Sequence, residues 1–374
     1  MKLNLTEEQE MLRKTARDFL AHKCPKAFVR QMEESETGYS GELWREMAGL
    51  GWIGLAFPEK YGGGGMSFLD LAVLLEEMGR ACLPGPFFST VVLGGLPILD
   101  IGSEQQKQEF LPELILVEKK FTLALTEPGY QSYDASSIAV EAVPDGDHYI
   151  IKGTKLFVPD AHIADYVLCV ARTKPGDGIA IFVADARSPQ VDCTLLKSIG
   201  GDKLCEVVFD RVPVPEAGIL GQSDQSWSVV QKIIERAAVA KCCEMVGNIQ
   251  RVLEMTVDYA KERKQFDRPI GSFQVIQHYC ADMATDVDGA RFITYQAAWM
   301  LSKGLSCIRE AAMAKVWMSE ASRRVMDSAH QIHGAIGVSM EHDLHFHTRR
   351  AKAAELAFGD ASFYRETVAR EMGL

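Results

Sequence analysis

The segment "EHDLHFH" at residues 341–347 has the side chains most able to bind a metal ion. Its potential ligands are His342, Asp343, His345 and His347, at the three- and four-residue spacings that can hold zinc on one face of a helix. Surface exposure or packing between helices explains the same pattern equally well. We therefore predict no metal site here.

Two glycine patterns are relevant to phosphate binding. Four consecutive glycines occupy positions 62–65, but no strand precedes them and no Lys-Ser or Lys-Thr pair follows. That context favours a flexible loop over a phosphate cradle. No G-x-G-x-x-G sequence follows a predicted strand either, so a Rossmann dinucleotide site is not expected.

The composition indicates a globular protein. The chain has 374 residues, of which 47% are apolar and 24% charged, and a formal net charge of -11. This charge makes nucleic acid a poor partner, although a local basic pocket for a phosphorylated ligand is compatible with it. Nine cysteines without CxxC spacing are expected to be reduced and mostly buried.

The sequence does not predict a secretory signal or a membrane-spanning segment. The N-terminus "MKLNLTEEQEMLRKTARDFL" has a charged amphipathic pattern, unlike a secretory signal. No run of eighteen apolar residues occurs, so no membrane span is predicted. A cytoplasmic or organelle-matrix location is the expectation.

Hydrophobic periodicity divides the chain into three predicted domains: 1–118, 119–225 and 226–374. The first is helical and opens with a capping pattern at Thr6 and Gln9. The second contains short β-branched runs separated by turns, which favours an antiparallel barrel or sandwich. The third has four long helical segments with short connections, which predicts an up-and-down four-helix bundle. The fold class is therefore α+β.

Four sequence motifs, distributed over the full length of the chain, together resemble those of a known enzyme family. They are "GWIGLAFPEKYGG", "LTEPG", "YAKERKQFDRPIGSFQ" and "QIHGAIGVSMEHD". In this order and spacing they resemble the acyl-CoA dehydrogenase family. The resemblance implies FAD bound between the β domain and the C-terminal bundle, with a neighbouring subunit completing the site. It also implies an acyl-CoA substrate, an electron-transfer protein or other acceptor, and a homotetramer or a heterotetramer with a homologue.

The resemblance also implies cofactor-binding residues in the β domain. Leu125, Thr126 and Ser132 match a segment that contacts the isoalloxazine ring and the ligand. Phe157 matches an aromatic residue beside the flavin ring. Pro159 stands where the family has a hydroxyl near N5, so backbone groups of Val158 or Asp160 would act there.

This part of the chain also departs from the family. Tyr130, Gln131 and Tyr133 replace a stretch of small residues and add one residue.

Further residues in the bundle match FAD contacts of the family. Arg263, Gln265, Phe266 and Gln274 match positions that reach the pyrophosphate and adenosine of the adjacent subunit's FAD. A planar guanidinium suits this role because it can bond two phosphate oxygens at once. The remaining matched positions are Gln331, Gly334, Ala335, Asp360 and Ser362.

The usual catalytic base of the family is missing. Phe358 stands where most members have glutamate, so its backbone N–H remains as a donor to the thioester oxygen, without a carboxylate. Ala237 occupies the alternative base position on the first bundle helix. Glu235 would point about 200° away around that helix. Lys241 and Glu244, further along it, are expected to form an ion pair with each other.

Three functional interpretations remain open from the sequence. In the first, the protein dehydrogenates a cyclic or branched acyl-CoA with a base from elsewhere, for which Asp100, just beyond the pocket-lining segment "PFFSTVVLGG", is the nearest candidate. In the second, it is a base-deficient subunit whose homologous partner supplies the glutamate. In the third, it catalyses another reaction on a CoA thioester. The segments "HGAIGVSMEHDLH" and "FGDA" most resemble the bacterial branch that handles cyclic and steroid-derived thioesters.

Overall fold

The N-terminal region is a set of six helices around an apolar core. A computed structural model describes residues 5–129, 133–174, 178–221 and 227–374. The helices are α1 (Glu7–Lys23), α2 (Lys26–Glu34), α3 (Gly41–Gly49), α4 (Phe68–Ala81), α5 (Leu96–Ile101) and α6 (Glu104–Ile115). A π-helical segment, Phe88–Gly95, leads directly into α5. The predicted capping box is confirmed, since the Thr6 hydroxyl accepts from the Gln9 amide and the Gln9 side chain accepts from the Thr6 amide.

The glycines at 62–65 form a close-packed turn, which differs from the flexible loop that we predicted. The amide of Gly64 donates to the Gly54 carbonyl and that of Gly65 to the Phe57 carbonyl. A Cβ atom at Gly63 would collide with the Phe57 backbone. These glycines therefore serve chain packing.

The middle region is a seven-stranded sheet. Its strands are β1 (Phe121–Ala124), β2 (Glu141–Asp145), β3 (His148–Pro159), β4 (Tyr166–Thr173), β5 (Ile179–Asp185), β6 (Val191–Leu196) and β7 (Leu204–Pro215). Their order is β1-β4-β2-β3-β7-β6, with β5 also paired to β4. Most pairs are antiparallel as predicted, but β4 is parallel to both β1 and β2. Long crossovers precede β4 in both cases, and such connections are what parallel pairing requires.

The C-terminal region is a helical bundle. It contains α7 (Trp227–Glu262), α8 (Gln274–Ser302), α9 (Ile308–His333), α10 (Leu344–Leu356) and α11 (Ala361–Glu371), with the small hairpin β8 (Lys264–Gln265) and β9 (Arg268–Pro269) after α7. The fourth predicted helical segment, residues 342–371, is therefore two helices, α10 and α11. It breaks because Phe358 and Gly359 both have positive φ angles, +58° and +101°, which an α-helix does not accommodate.

Close backbone packing fixes α7 against the N-terminal region. A Cβ atom at Gly79 on α4 would collide with the Glu244 carbonyl, and one at Gly247 on α7 with the Glu76 carbonyl. Glycine at both positions lets the two helices cross closely. This crossing positions the α7 face that carries Lys241 and Glu244.

All nine cysteines are free and seven are buried, which confirms the prediction. No helix in the described part of the chain has the length and hydropathy of a membrane span.

Candidate active site

The turn between α10 and α11 holds Phe358 in a defined conformation. Lys315 on α9 is fully buried, and its ammonium donates to the carbonyls of Ala354, Glu355 and Gly359, each at 2.9 Å. Burial lowers the pKa of Lys315 to about 8. The Tyr364 hydroxyl donates to the Phe358 carbonyl at 2.8 Å. These contacts fix the backbone on both sides of Phe358.

The Phe358 side chain begins a stack of three groups. Its ring lies 5.7 Å from the ring of Phe88, centroid to centroid, with 27° between the ring planes. The Lys241 ammonium lies 3.7 Å from the centroid of the Phe88 ring, a cation–π geometry. Lys241 also donates to Glu244 at 2.5 Å, which confirms the predicted ion pair.

The backbone amides at the same turn already bind an oxygen atom. The Tyr133 phenol forms hydrogen bonds with the backbone amides of Phe358 and Gly359 and with the Thr126 hydroxyl. Burial raises the pKa of Tyr133, so the phenol stays protonated at neutral pH. Its ring packs edge-to-face on Phe363, with centroids 5.6 Å apart. Sequence reasoning identified Tyr133 only as part of an insertion.

The two predicted flavin segments of the sheet meet directly. The Leu156 amide donates to the Thr126 carbonyl at 2.8 Å. Beneath them, the buried Lys155 ammonium donates to the Leu125 carbonyl at 3.1 Å and to the Glu127 carboxylate at 2.6 Å. The carboxylate also accepts from the Val140 amide at 3.1 Å. This ion pair, which the sequence reasoning did not identify, ties both segments together.

An aromatic ring projects from the same place. Phe157 has a φ of +56°, where the pairing of β3 with β7 is interrupted, and its side chain is 56% exposed. Val158 is buried, while Pro159 is half-buried and lines the cavity described next. Ser132 lies outside the described residues.

A cavity of about 150 Å³ lies beside the aromatic stack, between the π-helical segment, α7, α10 and the end of β3. Its apolar wall includes Phe88, Pro159 and four alanines on or just after α10. Its charged lining residues are Asp160, Asp202, Lys203, Lys241, Glu244 and Arg350. Asn248 completes the α7 wall.

One carboxyl group that lines this cavity has a raised pKa. Burial raises the pKa of Asp160 to about 6, although the Ser89 hydroxyl donates to it at 2.6 Å. Asp100, the base candidate from the sequence, instead forms an ion pair with Arg236 at 2.5 Å and is not among the cavity-lining residues. Burial also raises the pKa of Glu235, to about 7, but this residue does not line the cavity either.

The predicted adenosine contacts lie at the far end of the bundle. Arg263, Gln265, Phe266 and Gln274 are exposed at or just beyond the C-terminal end of α7. Ala237 and Glu262 are 25 residues apart on α7, which corresponds to about 37 Å of helix. One FAD molecule bound next to Phe358 would not reach these residues of the same chain.

The loop after α9 is at this far end as well. The ring of His333, at the end of α9, stacks on Tyr259 of α7 with centroids 4.5 Å apart. Gln331, Gly334 and Ala335 are all exposed there. At the other end, the Asp360 carboxylate caps α11 by accepting from the Phe363 amide at 2.9 Å, and Ser362 is exposed.

The histidines of the segment at residues 341–347 have separate surroundings. His347 is buried beside Cys82, with 3.5 Å between its Nδ1 and the sulfur, whereas His345 packs on Phe346 and His342 on His333. Among the described residues, no group of three or more potential ligands is arranged to hold a metal ion.

Comparison with known proteins identifies the family. Three family models match successive parts of the chain: the acyl-CoA dehydrogenase N-terminal domain at residues 6–118, the middle domain at 122–212 and the C-terminal domain at 224–373. The chain belongs to the acyl-CoA dehydrogenase family. Enzymes of this family are FAD-dependent oxidoreductases that act on CH–CH groups.

Individual relatives cover the whole chain. A probable acyl-CoA dehydrogenase, YngJ of Bacillus subtilis strain 168, is 33% identical over 100% of both chains. The structure of a glutaryl-coenzyme A dehydrogenase with glutaryl-CoA has a TM-score of 0.94 and 30% identity, covering 100% of this chain and 97% of that one. The ChsE4-ChsE5 complex from Mycobacterium tuberculosis has a TM-score of 0.91 and 28% identity, covering 100% and 99%.

The groups present fit FAD, the cofactor of the acyl-CoA dehydrogenase family. An exposed aromatic ring, Phe157, stands beside the backbone of Thr126, as a planar apolar ligand requires. At the far end, the Arg263 guanidinium is exposed and forms no ion pair within the described residues, so it is available to a phosphate. Gly334 has a φ of +63°, and its surface is open.

Proposed function

We propose that this chain oxidises the Cα–Cβ bond of a cyclic or branched acyl-CoA, with a base other than a carboxylate at position 358. The observation that carries the proposal is the oxygen-binding pair of amides at Phe358 and Gly359. A thioester oxygen becomes more negative as the α-proton leaves, and amide donors that are already oriented stabilise it. A thioester oxygen would take the place of the Tyr133 phenol oxygen at these two amides.

The surrounding residues keep these donors in place. The Lys315 ammonium binds three carbonyls of the turn, and Tyr364 binds a fourth. Because these bonds exist before substrate arrives, the turn does not have to reorganise during the reaction. The loss of the usual glutamate therefore leaves the oxygen-binding half of the chemistry intact.

We propose Asp160 as the proton acceptor. Three carboxylates line the cavity beside Phe358, and Glu244 is held in an ion pair by Lys241. Asp160 and Asp202 each accept from a serine hydroxyl, but burial raises the pKa of Asp160 to about 6, which suits a general base at neutral pH. Asp100 is a weaker choice because it forms an ion pair with Arg236 and does not line the cavity.

The flavin, when bound, supplies an acceptor for the β-hydrogen as hydride. The chain's own groups would orient it: the Phe157 ring beside it, and the backbone at Leu125, Thr126 and Val158 around its polar edge. The buried Lys155–Glu127 pair would keep those segments rigid. An electron-transfer protein or another acceptor would then reoxidise the cofactor.

The size of the cavity supports a cyclic or branched acyl group. The cavity volume of about 150 Å³ matches that of a protein cavity that binds benzene, so a ring of that size would fit it. The small side chains of Ala353, Ala354 and Ala357 leave width on the α10 side. A ring or a branch would use this width, whereas a linear chain would leave part of it unfilled.

A second candidate function is that of a subunit whose homologous partner supplies the carboxylate. The distance of about 37 Å between Ala237 and the end of α7 supports a site that is shared between chains. The relative in the ChsE4-ChsE5 complex was crystallised with a different partner. Exposed apolar side chains on α8 and α9, including Phe292, Met313 and Trp317, would be covered by such an assembly.

One experiment distinguishes the two candidate functions. The isolated chain is loaded with FAD and titrated anaerobically with linear and cyclic acyl-CoAs, alone and together with any adjacent homologue, while flavin absorbance is followed. Bleaching of the isolated chain by a cyclic acyl-CoA supports the dehydrogenase. Bleaching only with the homologue present supports the partner subunit.

A further inference from the structure

Two cysteines are neighbours on adjacent strands at the edge of the sheet. Cys193 on β6 is paired with Val207 on β7, and Leu195 on β6 is paired with Cys205 on β7. Paired residues of an antiparallel ladder share a face, as do residues two apart on one strand, so the cysteines are diagonal neighbours on one face. Cys193 is half-buried and Cys205 is fully buried.

Three hydrogen-bonding groups surround the Cys205 sulfur. The Cys193 thiol and the backbone amide of His162, in the turn Ala161–Ile163, donate to it. The third group is the His162 ring, whose Nδ1 lies 3.7 Å from the sulfur. On the opposite side of the ring, Nε2 lies 3.2 Å from the Thr37 carbonyl, which can only accept, so Nε2 carries a proton. A charged imidazole would therefore direct its second proton at the Cys205 sulfur.

This arrangement favours a thiolate at Cys205. The hydrogen bond from Cys193, followed by the contacts of His162, lowers the pKa of Cys205 to about 5 despite burial. The same bond raises the pKa of Cys193, and, against the effect of burial, contact with Cys205 raises the pKa of His162. The other charged groups that act on the pair are the carboxyls of Asp160 and Asp192, which oppose a second negative charge. The two sulfurs therefore share one proton and one negative charge at neutral pH.

The shared proton allows thiolate chemistry at the outer cysteine. The thiolate is the nucleophilic form of cysteine, but a fully buried thiolate does not meet an oxidant. Transfer of the proton along the hydrogen bond from Cys193 to Cys205 places the charge on Cys193, which is partly exposed. Once the pair has lost its first proton, the fraction in this form does not depend on pH. By contrast, burial raises the pKa of Cys280, the other half-buried cysteine.

The position of β6 at the edge of the sheet allows the two sulfurs to be joined. Diagonal neighbours on paired strands have Cα atoms about 7–8 Å apart, slightly beyond the range of about 4.4–6.8 Å in disulfides. A bond therefore requires a small shift of β6, which has β7 as its neighbour in the described sheet. Cys205 is paired on its other side with Val158, next to Phe157, so the bond would form beside the predicted flavin segment.

We propose that Cys193 and Cys205 are a redox-active dithiol, which a peroxide converts into a disulfide. The Cys193 thiolate attacks one peroxide oxygen, the O–O bond breaks, and the departing hydroxide takes the proton from Cys205, which gives water and a sulfenic acid on Cys193. The Cys205 thiolate then attacks the Cys193 sulfur, the S–O bond breaks, and the second hydroxide takes a proton from solvent. The two sulfurs lose two electrons and hydrogen peroxide becomes two waters. The inference is independent of the reaction proposed for the cavity.

Alkylation of the intact FAD-loaded protein tests the shared proton. Iodoacetamide is applied between pH 6 and 8, and peptide mass spectrometry gives the labelling rate of each cysteine. We expect the rate of Cys193 to vary less than about twofold, because the pair is already ionised above a pH of about 5. The rate of Cys280 should rise about tenfold per pH unit, as its thiolate fraction does. A rise of the same size at Cys193 would overturn the inference.

Peroxide treatment tests the bond itself. After hydrogen peroxide, free thiols are blocked with N-ethylmaleimide and the protein is cut with trypsin. Lys197 and Lys203 lie between Cys193 and Cys205, so the two cysteines are on separate peptides unless a disulfide joins them. We expect the joined peptides, and their separation by dithiothreitol. Thiols that remain free, or Cys193 oxidised to sulfinic acid without a bond to Cys205, would overturn the inference.

Three variants locate the effect. In Cys205→Ser the partner is gone, so labelling of Cys193 should rise about tenfold per pH unit. In His162→Asn a donor to the thiolate is lost, so the pH-independent range should begin at a higher pH. Cys280→Ser is the control and should leave disulfide formation unchanged. Labelling of Cys193 that stays independent of pH in Cys205→Ser would contradict the shared proton.

Discussion

The ring of Phe358 packs on the ring of Phe88, with 5.7 Å between the ring centroids. Lys241 lies 3.7 Å from the Phe88 ring centroid, so an ammonium group is part of the same cluster. The sequence resemblance predicts a catalytic carboxylate at position 358, and the structure has one side of an aromatic stack there.

Phe358→Glu is expected to restore ordinary dehydrogenation. The new carboxylate would lie in an apolar, partly buried setting that raises its pKa, and general bases contribute about 10²- to 10⁴-fold to rate. We expect the rate of flavin reduction by linear saturated acyl-CoAs to rise by about 10²-fold in stopped-flow experiments. Phe358→Leu is the matched control and should give no gain. No gain in the Glu variant would indicate that the thioester is not held at this turn.

Asp160→Asn is expected to reduce flavin reduction by cyclic acyl-CoAs by about 10²-fold or more. A general base acts when ionised, so kcat/KM of the wild type should rise with pH and level off above about 6, the pKa of Asp160. In Asp160→Asn, kcat/KM should not show this rise with pH. Asp100→Asn removes a carboxylate that is paired with Arg236 and should retain activity within a few-fold. Loss of activity in Asp100→Asn, with activity retained in Asp160→Asn, would identify Asp100 as the base.

Tyr133→Phe is expected to strengthen thioester binding. The phenol occupies the amides of Phe358 and Gly359, so a thioester oxygen must displace it. Removing the competing phenol, at a net gain of about 1 kcal/mol, should lower Kd for acyl-CoA about fivefold. Calorimetry on the FAD-loaded protein measures the change, with Tyr149→Phe in the sheet as control. Weaker binding in Tyr133→Phe would mean that the phenol contacts the substrate instead of competing with it.

Lys315→Met is expected to destabilise the turn that carries Phe358. The variant leaves three buried carbonyls without their donor, which should lower the free energy of unfolding by about 2–3 kcal/mol. Denaturant unfolding measures this loss. Lys352→Met is the control, because that ammonium is half-exposed and bonds only Glu355, and it should cost less than about 0.5 kcal/mol. Equal losses of unfolding free energy in the two variants would show that Lys315 does not specifically stabilise the turn that carries Phe358.

The sequence predicted the order of helical, β and helical regions because periodicity and turn residues are local signals. It also predicted the Lys241–Glu244 pair, since i,i+3 spacing on a helix determines proximity. It failed at the break between α10 and α11. Only Gly359 signals that break locally, while the contacts that hold it come from Lys315 on α9, more than forty residues earlier in the chain.

Long-range contacts also explain the other differences at the site. The buried Lys155–Glu127 pair joins residues 28 positions apart, and its members look like ordinary charged residues in the sequence. Asp160 follows a strand without any special motif, and its raised pKa results from burial that only the fold creates. Parallel pairing of β4 with β1 depends on crossover connections, which strand patterns do not encode.

The isolated chain, with Phe358 at the turn between α10 and α11, is expected to bind FAD and a thioester so that hydride transfer occurs. Anaerobic titration of the FAD-loaded chain with a cyclic acyl-CoA measures this transfer. The oxidised flavin absorbance should fall in proportion to the added thioester, without any partner protein. An absorbance that stays unchanged at saturating thioester, and falls only when a homologous chain is added, would show that the isolated chain is not a dehydrogenase.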